Sequence, residues 1–365
     1  MARWTAALDY KHLSQDAVYQ AKRFLLDSVG CALGGYQQHD VKIALDVLDE
    51  VAGRGPATVI GTGKNVDALS ASLANALMIR CMRPCIGFIG NPLNYIRKKN
   101  DGGFEEPQIN TTIFRQGTEG MYAGVEWTNP PENVRSALNS HSKFKAFANV
   151  PGPDIAVSCR IITRNAARRI ITAAFEYARK RKFKAVTICE KPNVLRETSG
   201  LMEEVAKEVQ KQYSEIQLWS TNIDAQLMWL NKNPEDYNVV VASNLFGDIL
   251  SDAFAGLVGG LGFAASGNIG EDVAVFEPTH GSAPKYAELN PPIVNPIAMI
   301  LSAAMMVEHV GETDKANRLK NAVAAVVKEG KTRTYDMMRI SGGAKSISQG
   351  AASTTQMTDA ILAKL

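Results

Sequence analysis

The chain has 365 residues, of which 45% are hydrophobic and 21% charged, with 40 Lys and Arg against 37 Asp and Glu. That is enough apolar material for one large core or two medium ones. The formal charge of +3, with no nucleic-acid-binding motif beside the basic runs Arg97–Lys99 and Arg179–Lys182, argues against a nucleic-acid partner.

Five scattered cysteines, Cys31, Cys81, Cys85, Cys159 and Cys189, exclude a disulfide framework and suit a reducing, cytoplasmic setting. No stretch approaches the length of a membrane-spanning helix and MARWTAALDYKHL is not a signal peptide, so no membrane partner is expected.

The elements follow in chain order. Ser14 opens a helical run with Val18, Ala21, Leu25 and Val29 at helical spacing, and Gly34-Gly35 stops it. Asp40 can cap a second helix through Ala44, Val47, Leu48 and Val51. ATVIGTGKN predicts a short strand and a turn, followed by a helix from about Val66 to Cys81. The GTGK within it is an ordinary glycine turn. Thr58 stands where a phosphate loop needs its first glycine, and Asn65 where it needs Ser or Thr.

Residues 86–111, rich in Gly, Pro, Asn and Lys, read as irregular. After Arg164 a regular alternation begins: helix 164–181, strand 184–189, helix 198–211, strand 215–220, helix 223–232, strand 238–242 and helix 248–258. Such alternation predicts parallel strands with helical crossovers. Further helices are expected near 295–310, 314–329 and 354–364.

Several polar residues fall where an α/β fold collects its ligands. NLFGDILSDAFAGLVGG follows the apolar strand NVVVA, so it begins at a strand's C-terminal edge. Asp248 and Asp252 lie four apart on one helical face and can share a hard cation; equally, Asp248 can cap the helix and Asp252 can simply be exposed. Asp224, just beyond a different strand, adds a third carboxylate. Lys191 directly follows the strand KAVTICE, either as an acid–base group or as a surface lysine ending that strand. Arg115 can fork a carboxylate and Tyr122 can donate a proton, against a rim salt bridge and a core aromatic. His280, Gly281, Ser282 and Ala283 form a small-residue loop that lets backbone N–H groups approach a phosphate or an adenine. No GxGxxG fingerprint opens the region.

Together NLFGDILSD, EPTHGSAPKYA and FRQGTEGMYAGVEW resemble the isocitrate and isopropylmalate dehydrogenase family, with consistent order and spacing from about Arg83 to Leu365. The third segment is nearest the isocitrate branch. The resemblance implies an α/β dehydrogenase fold, with 83–258 as the small substrate, metal and dimerisation domain and 259–365 as part of the large cofactor domain.

It further implies a homodimer with shared active sites. Asp248 and Asp252 would bind magnesium or manganese, with Asp224 from the partner subunit. Lys191 (also from the partner), Tyr122 and Asp224 would move protons, and Arg83 and Arg115 would hold carboxylates of an isocitrate-like substrate. His280 to Ala283 and Asn295 would line the adenosine pocket. Lys285, Tyr286, Tyr335 and Arg339 match positions that grip the 2′-phosphate of NADP, with NAD the alternative dinucleotide. The expected reaction is oxidative decarboxylation of isocitrate to 2-oxoglutarate.

Residues 1–82 lack the strand and GDGIG turn with which that family opens. LDYKHLSQDAVYQAKRFLLDSVGCALGG and LSASLANALMIRCM instead resemble the helical N-terminus of the 2-methylcitrate dehydratase and cis-aconitate decarboxylase family. The chain therefore reads as a fusion joined at Met82/Arg83: a dehydrogenase-like fold without its usual N-terminal piece, preceded by a mainly helical segment. The alternative expectation is a non-catalytic fusion product that binds metal or nucleotide, or associates with related subunits, without turnover.

Overall fold

The computed structural model describes residues 57–59, 64–66, 80–270, 274–281 and 283–365. The helices expected before residue 56, most of the segment 1–82 and Ser282 lie outside them. The chain divides into two compact units, Met1–Arg80 with Asn268–Val275, and Cys81–Gly267 with Phe276–Leu365. In the first, Ala57–Val59 and Lys64–Val66 pair antiparallel, and the turn predicted between them lies outside the described residues.

Of the helix expected from about Val66 to Cys81, the described ends are strand instead, since Lys64–Val66 and Arg80–Ile86 are both extended, and residues 67–79 lie outside the described residues. Cys81 and Cys85 lie on the same face of that second strand, two steps of its period-two alternation apart, and both are buried.

Seven strands form the main sheet: β1 (Arg80–Ile86), β2 (Asn110–Arg115), β3 (Ala185–Glu190), β4 (Gln217–Asn222), β5 (Val239–Ala242), β6 (Ala265–Ile269) and β7 (Ala274–Pro278), in the order β4-β3-β5-β2-β1-β6-β7. The run β4-β3-β5-β2 is parallel, as the alternation predicts, whereas β1 joins β2 antiparallel and makes the sheet mixed. Residues 86–111 are not wholly irregular, because Arg97–Lys98 and Phe104–Glu105 form a small hairpin held by Arg97 to Glu235 at 2.7 Å.

Helices α1 (Glu132–Asn139), α2 (Arg164–Arg181), α3 (Arg196–Gln210), α4 (Ile223–Leu230) and α5 (Asn244–Leu257) connect these strands; α6 (Ile297–His309), α7 (Thr313–Glu329) and α8 (Thr354–Leu362) follow. Strand β5 is Val-Val-Val-Ala and buried throughout, because both faces of this part of the sheet are covered. Val239 and Val241 meet Ile170, Phe175, Met202 and Val205 of α2 and α3 on one side. Val240 and Ala242 meet Ile223, Leu250 and Phe254 of α4 and α5 on the other. A third cluster joins α6, α7 and α8 through Ile297, Val323, Val327 and Met357.

Helix α2 starts on the Thr163 side chain, which accepts from the Ala166 amide, and stops at Lys182 in the left-handed region (φ 58°). Its terminal basic run engages carboxylates, Arg179 with Glu215 at 2.8 Å and Arg181 with Glu308 at 2.6 Å. Among the described residues, no helix is long and apolar enough to cross a membrane.

Phe254 is fully buried between sheet and α4. Phe254→Ala should lower the unfolding free energy by about 3–5 kcal/mol, the range for emptying an aromatic core site. Urea denaturation followed by tryptophan fluorescence measures it.

Candidate active site

The parallel run brings the C-terminal ends of β2, β3, β4 and β5 to one edge of the sheet. Arg115 ends β2 and pairs with Ala242, the last residue of β5. Lys191 follows β3, Asp224 opens the first turn of α4 after β4, and Asp248 sits in α5 after β5. Helix α5 begins four residues earlier than expected, at Asn244 with Ser243 as its N-cap. Asp248 is therefore inside the helix and the capping reading for it is wrong; the small Gly247 and the polar Asn244 had hidden the helix's first turn from a reading by apolar spacing.

Asp248 is the centre of the cluster. Arg83 Nη1 donates to its Oδ1 at 3.0 Å, Arg115 Nη1 donates to the same oxygen, and the Tyr122 hydroxyl donates to Oδ2 at 2.8 Å. Arg83 Nη1 also lies 3.8 Å from Asp252 and donates to Ser251 Oγ at 2.6 Å. The Arg115 guanidinium rests over the Tyr122 ring, 5.0 Å from its centroid. Burial alone would raise the Asp248 carboxyl, but the Tyr122 hydrogen bond and the two guanidinium charges outweigh it and hold the pKa below its ordinary value. The same hydrogen bond to Asp248, chiefly, pushes the Tyr122 phenol upward, so it keeps its proton at neutral pH.

Lys191 and Asp224 form a second pair, Nζ to Oδ1 at 2.5 Å, and the lysine hydrogen bond lowers the Asp224 carboxyl. Within one chain Asp224 does not complete a three-carboxylate set with Asp248 and Asp252. Among the described residues no group of three or more His, Cys, Asp or Glu is placed to hold a metal ion. The donors that are present suit a hard cation: two carboxylates one helical turn apart already share one positively charged group, Arg83 Nη1. Cys85 offers no thiolate, because burial pushes it up to about 12.

Four contributors escaped the sequence reading. Asn244, fully buried, accepts from Arg115 Nε at 3.2 Å and Nη2 at 2.8 Å. Gly247 allows α5 to approach β2 at all. A Cβ there would lie 2.8 Å from Arg115 Cγ and 3.1 Å from its Cα. Ser251 holds Arg83, as above. Glu190, also fully buried, accepts from Arg160 Nη2 at 2.8 Å, from Ser199 Oγ at 2.6 Å and from the Ser243 amide at 2.7 Å, which ties the end of β3 to the start of α5. The available signal, a polar residue at or just past the end of an apolar strand, applies to Glu190 and Asn244; Gly247 and Ser251, inside α5, carried none.

The residues expected to bind a dinucleotide fall into separate groups. Tyr286 and Tyr335 meet edge to face at 5.7 Å, with Lys285 Nζ 4.8 Å from the Tyr286 ring centroid. Desolvation first, then the hydrogen bond with Tyr286, raises Tyr335 to about 12. A Cβ at Gly342 would stand 2.6 Å from the Tyr286 hydroxyl. An exposed lysine beside two tyrosine hydroxyls fits a phosphate monoester. Arg339, at φ 56°, instead reaches back to the Pro92 carbonyl at 3.2 Å. Ala283 is left-handed (φ 43°) and His280 Nδ1 is 3.0 Å from the Gly281 carbonyl. Asn295 is buried, donating to Asp336 at 2.9 Å and accepting from the Ile297 amide at 3.0 Å, so its amide braces the start of α6.

Residues 56–361 match the isocitrate/isopropylmalate dehydrogenase family. The chain belongs to that family. Residues 1–83 match the MmgE/PrpD N-terminal domain, so the chain is a composite of two families, and the matches overlap over 56–83, a stretch that ends at the expected join.

The family comprises β-decarboxylating dehydrogenases that typically use NAD(P) and a divalent metal. The chain is 36% identical to protein DlpA of Legionella pneumophila over 70% of its own length and 38% of that protein's. It is 41% identical to 3-isopropylmalate dehydrogenase of Archaeoglobus fulgidus over 63% of each chain. It thus spans less than two thirds of either relative. The crystal structure of isocitrate dehydrogenase from Methylococcus capsulatus superposes with a TM-score of 0.65 at 35% identity, covering 88% of this chain and 83% of that one.

The Asp248 ion pairs carry a pH signature. A carboxyl whose folded pKa is depressed contributes stability in full above its unfolded value, 3.8 here, and loses it as pH falls through the folded value. The stability difference between the native chain and Asp248→Asn should therefore be constant above about pH 5 and shrink below 3.8. Chemical denaturation across pH 2.5–7 reads it, with about one unit either side of the pKa setting the window; a difference that grows in acid would contradict the arrangement.

Proposed function

We propose that this chain is of the isocitrate dehydrogenase type, catalysing metal-dependent oxidative decarboxylation of isocitrate to 2-oxoglutarate with NADP as oxidant. One observation carries the reading: two guanidinium groups and a protonated phenol converge on a carboxylate that has a second carboxylate one turn away. Arginines so placed suit a substrate with several carboxylates, and a carboxylate pair suits a divalent ion.

Arg83 and Arg115 would exchange Asp248 for substrate carboxylates. Asp248 and Asp252, with Asp224 of a second copy, would hold magnesium or manganese, which when bound supplies Lewis-acid polarisation of the oxygen at the reacting carbon. Lys191 and Asp224, already hydrogen-bonded to each other, would take the hydroxyl proton, and Tyr122 would deliver its phenolic proton to the carbon that has lost its carboxylate. Lys285, Tyr286, Tyr335 and Arg339 would hold the 2′-phosphate, with His280, Gly281, Ser282, Ala283 and Asn295 around the adenosine.

The outer face of α4 and α5 supports a homodimer with shared sites. Met228, Trp229, Leu245 and Ile249 leave an exposed apolar surface beside Asp224 and Asp248. Residues 83–258 would then be the substrate and dimerisation domain and 259–365 the cofactor part. The match of residues 1–83 to another family favours a second reading, association or ligand binding without turnover.

An assay of NADPH formation with manganese separates them. The expected result is turnover of isocitrate in preference to 3-isopropylmalate; oligomerisation without turnover of either would support the second reading. Calorimetry should show NADP binding more tightly than NAD, and Lys285→Asp with Tyr286→Ile should reverse the order. A native preference for NAD would remove the 2′-phosphate assignment.

A further inference from the structure

Asn244 uses its whole side chain on one neighbouring segment. Oδ1 accepts from Nε and Nη2 of Arg115, and Nδ2 donates to the Gly117 carbonyl at 2.7 Å. All three bonds go to the segment 115–117, and none goes to α5, of which Asn244 is the first residue. A planar guanidinium gripped along its Nε–Nη2 edge can turn neither about its long axis nor out of plane. The remaining Nη1 is thereby aimed at the Asp248 carboxylate, while the Tyr122 ring supports one face of the group.

The chemistry of the gripping residue matters as much as its place. A carboxylate at this position would orient Arg115 equally well, but it would also neutralise it in a site where Asn244 is fully buried. A neutral amide orients the guanidinium and leaves its charge to be shared with whatever anion lies beyond.

We propose that Asn244 is a positioning residue that presents Arg115, with its charge unspent, to a carboxylate of the substrate. The proposal deepens the reading given above and rests on Arg115 binding that carboxylate. It names the substrate class by the recognition chemistry: an anion with a carboxylate able to take the outer edge of Arg115 in place of Asp248.

Isothermal titration with isocitrate in the presence of manganese tests it without requiring turnover. Asn244→Ala should weaken isocitrate about ten- to hundredfold, the effect of losing hydrogen bonds to a charged group, and leave manganese binding alone within about twofold. Asn244→Asp keeps the oxygen that accepts from both Arg115 N–H groups yet offsets the charge, so it should weaken isocitrate at least as much, and it carries the test if the alanine variant fails to fold. In an Arg115→Ala background, Asn244→Ala should add less than about a twofold change. Undiminished affinity in Asn244→Ala, or its full effect without Arg115, would overturn the proposal.

A native chain that binds no isocitrate would instead overturn the functional reading, and the positioning claim would still be decided by phenylglyoxal modification of Arg115 followed by peptide mass mapping. About tenfold faster modification in Asn244→Ala, with the native rate in Asn244→Asp, supports positioning. Equal rates in the native chain and Asn244→Ala refute it.

Discussion

Ala242 pairs with Arg115 across two parallel strands, and the site depends on that register. With β5 and β2 in step at their C-terminal ends, the helix leaving β5 must start directly beside the last side chain of β2. Asn244 then meets Arg115 in the first turn of α5, and Asp248 meets it one turn later. A slip of one residue would turn Arg115 to the other face of the sheet, into the apolar cluster of α2 and α3. Gly247 is the steric condition for the contact, since a Cβ there would lie 2.8 Å from Cγ and 2.9 Å from Cβ of Arg115 and crowd its Cα at 3.1 Å. Helical propensity would favour alanine there by about 1 kcal/mol, but overpacking against a backbone atom costs about 1–3 kcal/mol, so the close approach wins.

The charges in this cluster are arranged for exchange. Arg83 and Arg115 are mostly buried, at 15% and 12% side-chain exposure, whereas Asp248 is 33% and Asp252 61% exposed. Cations at depth with anions toward solvent cannot be left unpaired without a penalty of several kcal/mol. An incoming carboxylate can replace Asp248 at the arginines, and an incoming cation can replace the arginines at Asp248, without any buried charge losing its partner. The network around Glu190 and Arg160 works differently. It is closed on all sides by Ser199, Ser243 and Thr198, and it fixes where β3 ends and α5 begins. One network is rigid support and the other is open to ligands.

The composite nature of the chain bears on both halves. The described dehydrogenase unit has its own cores on both faces of the sheet, and it consists of Cys81–Gly267 and Phe276–Leu365. Strand β1 lies inside the sheet, between β2 and β6, rather than at a linker. Arg83, which the sequence reading placed at a join, is thus the middle residue of a sheet strand and opposite Ile113. The family match beginning at residue 56 agrees with that placement.

What the sequence determined by itself was periodic or motif-bearing. The alternation after Arg164 gave α2, β3, α3, β4, α4 and β5 to within a few residues, because apolar spacing is a local consequence of burial on one or two faces. Asp248, Asp252, Asp224, Lys191, Arg115 and Tyr122 stood out because polar groups just past apolar strands collect at one sheet edge. Tertiary structure decided the rest. The partition into an Asp248 cluster and a separate Lys191–Asp224 pair depends on strand order, β4-β3-β5-β2, which no local spacing encodes. Strand β1 was invisible because its antiparallel partner β2 lies some thirty residues away in sequence, at Arg83 opposite Ile113. Asn244 and Gly247 acquire their roles only when α5 docks on Arg115: an amide is a helix-start residue until a guanidinium lies within 2.8 Å, and a glycine is a weak helix former until a backbone atom occupies the space its side chain would need.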